Sequence, residues 1–369
     1  MTRYLVNRFS KFLFVAVLVL YAGAASVPFL NQSSYWFVSV LGVIFPWLFF
    51  IIFILLIFLI LRKSRWSFLL LALLLLSWKS VFSTFGFHYF RRAPANHANV
   101  TGLKVLSWNV SRWDQMKSLE QLASSKREAM LEEILRENAD IMCFHEFFEP
   151  SGNGLKYYSS NIEAIRSKGY PYYAFFPTSV MHDRTKSFGM AIFSKYPIVN
   201  SATYSFGNTP HSEGLMFADI AIKNKNIRVF TTHLESFKLG RSSYFRSGDN
   251  GMASKAKASV WSIRNAYRNR HMQMDLVKDK IDHSPYPVLF LGNLGDVPNS
   301  ETYAVLSENL HDAFLLFGSG FGATFPNISP NLRLDYILVD KKIKINNFEI
   351  SKSVYSDHYP IMADVSVHF

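Results

Sequence analysis

RLDYIL at 333–338 and SDHYPI at 356–361 decide how the rest of this 369-residue chain is read. Asp335 opens an apolar run, and Asp357 and His358 stand just before another, Ile361–Val367. A polar residue at the edge of one apolar run is ordinarily a solvated strand end or a turn former. Here the placement recurs upstream: Asn109 follows LSW, Glu146 ends IMCFHE, His233 ends VFTTH, and Asn293, Gly295 and Asp296 follow VLFLG. Side chains so placed gather at one site if the strands lie in sheets with those ends together.

Working outward, short apolar runs alternate with longer amphipathic ones from Thr101 onward, the pattern of an α/β domain. The spacing predicts strands at Leu103–Val110, Ile141–Glu146, Gly189–Ser194, Ile227–His233, Val288–Leu291, Asp335–Val339 and Ile361–Val367. It predicts helices over Ser118–Asn138 and from about Ala256 to Asp282. Ser236–Ser254 is polar, rich in Gly and Ser and without period, and loops of that length are ordinarily functional or disordered. The aromatic stretches Tyr157–Tyr158 and Tyr170–Phe176 are expected at the surface. No repeat recurs at a fixed period.

The first 92 residues differ from the rest. They hold nine Lys or Arg (Arg3, Arg8, Lys11, Arg62, Lys63, Arg65, Lys79, Arg91, Arg92) and no Asp or Glu, so of the formal +12 only +3 belongs to the remainder. A near-neutral soluble part argues against nucleic acid, whose binders carry basic surfaces. Residues 12–30, 35–61 and 66–87 each approach the roughly 20 apolar residues that span a bilayer, although Lys79 interrupts the third. Ala22–Ser26 (AGAAS) is also the small-residue run a signal peptide would use, but two further apolar segments follow it. Residues 93–100 read as a linker between this membrane region, 1–92, and a domain at 101–369. Cytoplasmic loops are enriched in Lys and Arg. Arg3, Arg8, Lys11 and the cluster Arg62, Lys63 and Arg65 then belong inside. With three spans the expectation is a multi-pass protein of the inner (cytoplasmic) membrane whose C-terminal domain is extracytoplasmic, that is periplasmic. With two, the domain would lie inside. The single cysteine, Cys143, excludes an internal disulfide framework.

Taken in order, the motifs resemble the endonuclease/exonuclease/phosphatase superfamily, which includes pancreatic-type deoxyribonuclease, abasic-site endonucleases, inositol-phosphate phosphatases and neutral sphingomyelinases. The resemblance rests on SWNV (107–110), FHEFFE (144–149), SFGMAIFSKYPI (187–198), TTHLES (231–236), GNLGDVP (292–298), RLDYIL and SDHYPI, and covers about Lys104 to Phe369. It implies a four-layered α/β sandwich, two packed mixed β-sheets flanked by helices, with the site at one edge of the sheets. It also implies roles. Glu146 would be the principal carboxylate for a Mg²⁺ ion, with Asp357 beside the metal. Asn109 would orient phosphate or a metal-bound water, and His233 would donate to a phosphate oxygen. His358, oriented by Asp335, would act on the phosphate or the attacking water. For Asp335 an ion pair with Arg333 or a nearby lysine stays an alternative.

The chain departs from the family in one turn. Where members read Gly-Asp-Phe-Asn-Asp, it has Gly292-Asn293-Leu294-Gly295-Asp296, and His145 stands where Gln is common before the metal carboxylate. The water-handling Asp and the phosphate-contacting Asn have become Asn293 and Gly295. A general base contributes about 10²–10⁴-fold and an oxyanion donor about 10²–10³-fold, not additively, so severe impairment is expected. Three readings follow. The first is a membrane-anchored phosphodiesterase acting on a lipid headgroup. There the loop at 236–257, with Lys238, Arg241, Arg246, Lys255 and Lys257 among aromatics, meets anionic headgroups or stays a solvated loop. The second is a non-catalytic binding or assembly subunit of a membrane complex. The third is an extracytoplasmic nuclease.

Overall fold

The computed structural model describes residues 2–88, 101–115, 125–181, 185–207, 213–236 and 252–367. The linker at 93–100, the start of the helix expected from Ser118, and residues 237–251 of the polar loop lie outside the described residues.

Its strands are β1 (Gly86–Phe87), β2 (Thr101–Asn109), β3 (Ile141–Pro150), β4 (Tyr172–Val180), β5 (Lys186–Ser194), β6 (Ile198–Tyr204), β7 (Gly214–Ile222), β8 (Lys225–His233), β9 (Val288–Asn293), β10 (Leu310–Asp312), β11 (Ser319–Gly320), β12 (Asp335–Asp340), β13 (Ile343–Ile350) and β14 (Ile361–Val367). They form two six-stranded sheets, ordered β13-β14-β2-β3-β5-β4 and β10-β12-β9-β8-β7-β6, and the short pair β1-β11. Each large sheet is mixed, with one central parallel pair, β2·β3 and β8·β9, among antiparallel neighbours.

Strand side chains alternate between the two faces of a sheet, and that alternation builds the layers. Leu103, Val105, Ile141 and Cys143 of one sheet meet Ile227, Val229, Leu289, Leu291, Ile337 and Val339 of the other in the central core. Their sequence neighbours face outward. Leu106, Trp108, Met142 and Phe144 pack with Met130 and Ile134 of the helix Arg127–Glu137. Val288, Phe290 and Leu338 pack with Met274 and Val277 of the long helix Met252–Asp282. The result is the expected four-layered sandwich. The aromatic stretches are less exposed than expected, because β4 and the segment between β3 and the helix Asn161–Arg166 use them for packing. Tyr170 is buried with its hydroxyl donating to Ala139 O at 2.8 Å, and Tyr158 is buried against Phe148, while Tyr157, Tyr172 and Tyr173 stay exposed.

Among the described residues two helices, Arg8–Phe29 and Leu41–Leu61, are long and apolar enough to cross a membrane. The third expected span is instead two helices, Trp66–Leu76 and Trp78–Thr84, bent by 57°. The break falls at Ser77, whose hydroxyl donates to Leu74 O at 2.9 Å and meets Tyr21 Oη at 2.5 Å; a side chain inserted into the helical ladder is a usual cause of a kink.

These helices are docked on the sandwich rather than tethered at a distance. Asn299 Nδ2 donates to Ala24 O, Asn331 Nδ2 to Val43 O and Arg333 Nη2 to Ser83 O, at 2.8, 2.8 and 2.9 Å. Gln32 in the loop between the spans bonds Glu301 and Thr302 at 2.8 and 2.9 Å, and β1 pairs with β11. Gly42 is required at its position, since a Cβ there would lie 2.3 Å from Asn299 O.

Candidate phosphoester site

The inner faces of the strands carry the site without any change of register. In β2 the inward series Leu103, Val105, Ser107 ends at Asn109; in β3 Ile141, Cys143 ends at His145; in β8 Ile227, Val229, Thr231 ends at His233; in β9 Leu289, Leu291 ends at Asn293. In β12, read backwards, Val339 and Ile337 end at Asp335. Asn109 faces His145 across one sheet, and His233, Asn293 and Asp335 are consecutive partners across the other. The polar residues are therefore the last rung of the same period-two ladder that makes the core. All five are buried.

His145 ties the two sheets together. Thr231 Oγ1 donates to Leu291 O at 2.6 Å and so must accept from His145 Nε2 at 2.8 Å, which fixes the neutral tautomer. Burial and then the nearby His233 push its pKa down to about 3. Glu146, the next residue, would point outward, but β3 has an irregularity between Phe144 and Phe147, and Glu146 takes φ +48°. Bulges of this kind re-aim side chains next to sites. Glu146 N is held by Glu213 Oε2 at 3.0 Å, and the same Glu213 oxygen accepts from His233 Nδ1 at 3.1 Å. Burial raises the Glu213 pKa against the pull of His233.

Asp335 and His358 form the ionic centre. Asp335 Oδ2 accepts from His358 Nδ1 at 2.7 Å and from Thr324 Oγ1 at 2.6 Å. Burial opposes both charges, yet each partner stabilises the other: Asp335 is held below the usual carboxylate range, and His358 is lifted to about 9 by Asp335, with help from Asp357 and Glu146. His358 is thus an imidazolium at neutral pH. Trp108 Nε1 donates to His358 O at 2.9 Å, fixing the loop. Arg333 is not the partner of Asp335: its guanidinium pairs with Asp312 at 2.6 Å.

The departed turn sits beside this pair. Asn293 Oδ1 accepts from Gly295 N at 2.8 Å, so its amide group is turned toward His358, with Nδ2 3.5 Å from Nδ1. Gly295 has φ +58° and its missing Cβ would lie 2.8 Å from Glu235 O, so a side chain there would press on that carbonyl. Asp296 points away, with Oδ2 2.7 Å from Arg270 Nη1 in a fully buried pair.

The groups expected to hold magnesium are placed as follows. Asn109 Oδ1 accepts from Ser111 N at 3.0 Å, leaving Nδ2 toward Glu146 Oε1 at 3.5 Å. Arg112 Nε lies 3.6 Å from Glu146 Oε2. Asp357 accepts from Ser356 Oγ at 3.3 Å. Among the described residues no group of three or more His, Cys, Asp or Glu side chains is gathered for a metal ion. Magnesium wants oxygen acceptors around it, and here the oxygens of Glu146 face two nitrogen donors. As arranged, these side chains do not fit the ion.

Two members of the site were not visible in sequence. Glu213 precedes β7, an apolar strand the pattern did not separate. Arg112 belongs to a turn whose backbone has no sequence signature.

Comparison with known proteins agrees with this architecture. Residues 106–358 match the model of the Endonuclease/Exonuclease/phosphatase family, and residues 7–84 match a domain of unknown function (DUF8431). No curated protein matched in sequence. Among solved structures, an endonuclease/exonuclease/phosphatase from Beutenbergia cavernae aligns with TM-score 0.50 at 18% identity over 72% of each chain. Humanized D. rerio TDP2 aligns with 0.51 at 18%, over 72% of this chain and 98% of that one. The human Nocturnin catalytic domain, solved with a bound sulfate anion, aligns with 0.50 at 21%, over 76% and 98%. At these identities the likeness is one of fold.

Proposed function

Because the chain belongs to the Endonuclease/Exonuclease/phosphatase family, we propose that it is a membrane-anchored phosphoester-binding protein whose ligand is a lipid headgroup and whose hydrolytic power is severely impaired. One observation carries this reading: at neutral pH the inner site has no group at the turn able to take a proton from water. Asn293 is an amide committed to Gly295 N. His358, the natural substitute, already holds its proton, with a pKa near 9. Its charge suits it to receive a phosphate oxygen instead, as donors in water-poor sites do. His233, oriented by Glu213, and Asn109 complete the polar lining.

The headgroup assignment is supported by where the helices dock. Asn299, Asn331 and Arg333 belong to the segments that leave β9 and enter β12 at the site-bearing end of the sheet. The membrane region and the site therefore share one edge. The helix Leu41–Leu61 starts against the sandwich and ends at Arg62, about 30 Å away at 1.5 Å per residue. Basic Arg62, Lys63 and Arg65 thus cap the end remote from the domain, which supports an extracytoplasmic domain by the positive-inside rule. That topology treats the bent pair as a third crossing.

A second reading has its own support. The little room left for a side chain at Gly295 suits a chain that keeps the fold as a platform for a membrane complex. A nuclease remains the third reading, disfavoured by the near-neutral soluble part.

The test is turnover of a generic phosphodiester and of phospholipids and sphingolipids by the full chain in detergent and in vesicles. The native protein is expected at background and Asn293→Asp on the order of 10²-fold above it, the lower range of a restored base. Native turnover well above background that Glu146→Ala abolishes would sink the impaired reading. Headgroup binding absent from both proteins would favour the platform.

A further inference from the structure

Ser111, Arg112, Trp113 and Asp114 have φ of +43°, +61°, +56° and +55°, four consecutive non-glycine residues in the left-handed region. That conformation is strained for any residue with a Cβ, and such runs persist only where surroundings over-determine them. They do so here. Asn109 Oδ1 takes Ser111 N at 3.0 Å, and Trp113 N donates to Val110 O at 2.8 Å. Trp113 is fully buried against Phe144 and Phe147, each 5.7 Å away. Asp114 Oδ2 accepts from Lys126 N at 3.1 Å, and Ser125 Oγ reaches Trp113 O at 3.3 Å.

The turn delivers one side chain to the site. Arg112 lies over the Phe188 ring, 5.1 Å from its centroid, with Nε 3.6 Å from Glu146 Oε2. About a third of the Arg112 side chain (32%) remains exposed beside a carboxylate that is mostly covered (15%). A guanidinium offers five donors in a fork that matches phosphate oxygens.

We propose that Arg112 is a built-in cation standing where the family places a divalent metal, so that this site binds phosphate esters without one. The idea rests on the phosphoester-binding reading above. Charge supports it. An arginine supplies one positive charge fewer than a divalent ion, and Asn293 in place of the family's aspartate removes one negative charge from the same lining. Arg112 and Asn109 both reach Glu146, with Nε 3.6 Å from Oε2 and Nδ2 3.5 Å from Oε1, so the nitrogen donors stand on the carboxylate that the ion would have used.

The experiment is calorimetric titration of the full chain in detergent with inorganic phosphate, in EDTA and in millimolar Mg²⁺, paired with Mn²⁺ binding followed by electron paramagnetic resonance. Native protein is expected to bind phosphate with the same affinity, within about threefold, in both buffers and to show no Glu146-dependent Mn²⁺ signal. Arg112→Ala should lose at least tenfold in phosphate affinity, Arg112→Lys should lose less, and Arg112→Ala should gain a Mn²⁺ signal that Glu146→Gln removes. Thermal melts of both Arg112 variants check that they are folded. Phosphate binding that requires a divalent ion overturns the proposal, as does saturable native Mn²⁺ binding lost in Glu146→Gln, or an Arg112→Lys protein as weak as Arg112→Ala. Any of these with turnover still at background leaves the impaired-hydrolase reading standing, whereas robust native turnover removes that reading itself.

Discussion

The loop that carries His358 and the turn that carries Asn293 meet on either side of Asp335, but they stand in different relation to the chemistry the family performs. The loop keeps every part: His358 is ion-paired, Asp335 is bonded to Thr324, and Trp108 pins the backbone. The turn holds the buried Asp296–Arg270 pair at its end and leaves little room for a side chain at Gly295. The paired, buried charges of both segments have partners in the sandwich, whereas Asn293 bonds only within its own turn and to the edge of His358. A retained residue is therefore weak evidence of retained catalysis when it also has a structural duty.

The largest expected effect tests the structural duty of the loop. Asp335→Asn removes the partner that keeps buried His358 charged and the carboxylate that accepts from Thr324, and breaking a buried pair from one side typically removes about 3–5 kcal/mol, read as a fall in the urea midpoint at unchanged slope. No loss of stability would show that the loop persists for another reason.

Acidity and alkalinity sharpen the same point by a gentler perturbation. His358 is raised from an ordinary 6.5 to about 9, so its contribution is fully present below 6.5 and is lost as pH rises through 9. Asp335 is lowered from 3.8, so its contribution is present above that value and is lost as pH falls through the depressed one. Chemical denaturation at pH 7 and 10 should show stability falling at the alkaline step, and His358→Gln should flatten that step.

The turn offers the converse test. Gly295→Asn, the family's residue, brings a Cβ to 2.8 Å from Glu235 O and is expected to destabilise by about 2 kcal/mol, as overpacking does, without restoring turnover. If it is tolerated, the turn has room for the side chain and the contrast with the loop weakens. The smallest effect lies at the membrane dock. Asn299→Ala removes the bond to Ala24 O and should lower the melting transition by an amount equivalent to about 1 kcal/mol.

Much of this was legible in the sequence, for a physical reason. The site residues end period-two series, so a reader who sees Asn109, His233, Asn293 and Asp335 at the edges of apolar runs is already seeing one face of each strand. What escaped reading lacked such a signal. β7 reads GLMFADIAI, apolar throughout except for Asp219, and periodicity alone does not distinguish such a run from a buried helix. β13 alternates but is interrupted by a register shift between Ile345 and Asn347. The helix expected from Ser118 has its described start at Arg127, after a non-helical Ser125–Lys126. The left-handed turn at Ser111–Asp114 contains no glycine, the residue that normally announces such a backbone.

The dock also sets an order of events in synthesis. The carbonyls of Ala24, Val43 and Ser83 leave the ribosome among the first hundred residues, while their partners Asn299, Asn331 and Arg333 come from the last quarter of the chain. The helices are therefore made some two hundred residues or more before the groups that latch them. A soluble fragment starting after the linker would reach the sheets but never the latch, and would carry Arg333 and Phe321 into water in place of Ser83 and Phe85.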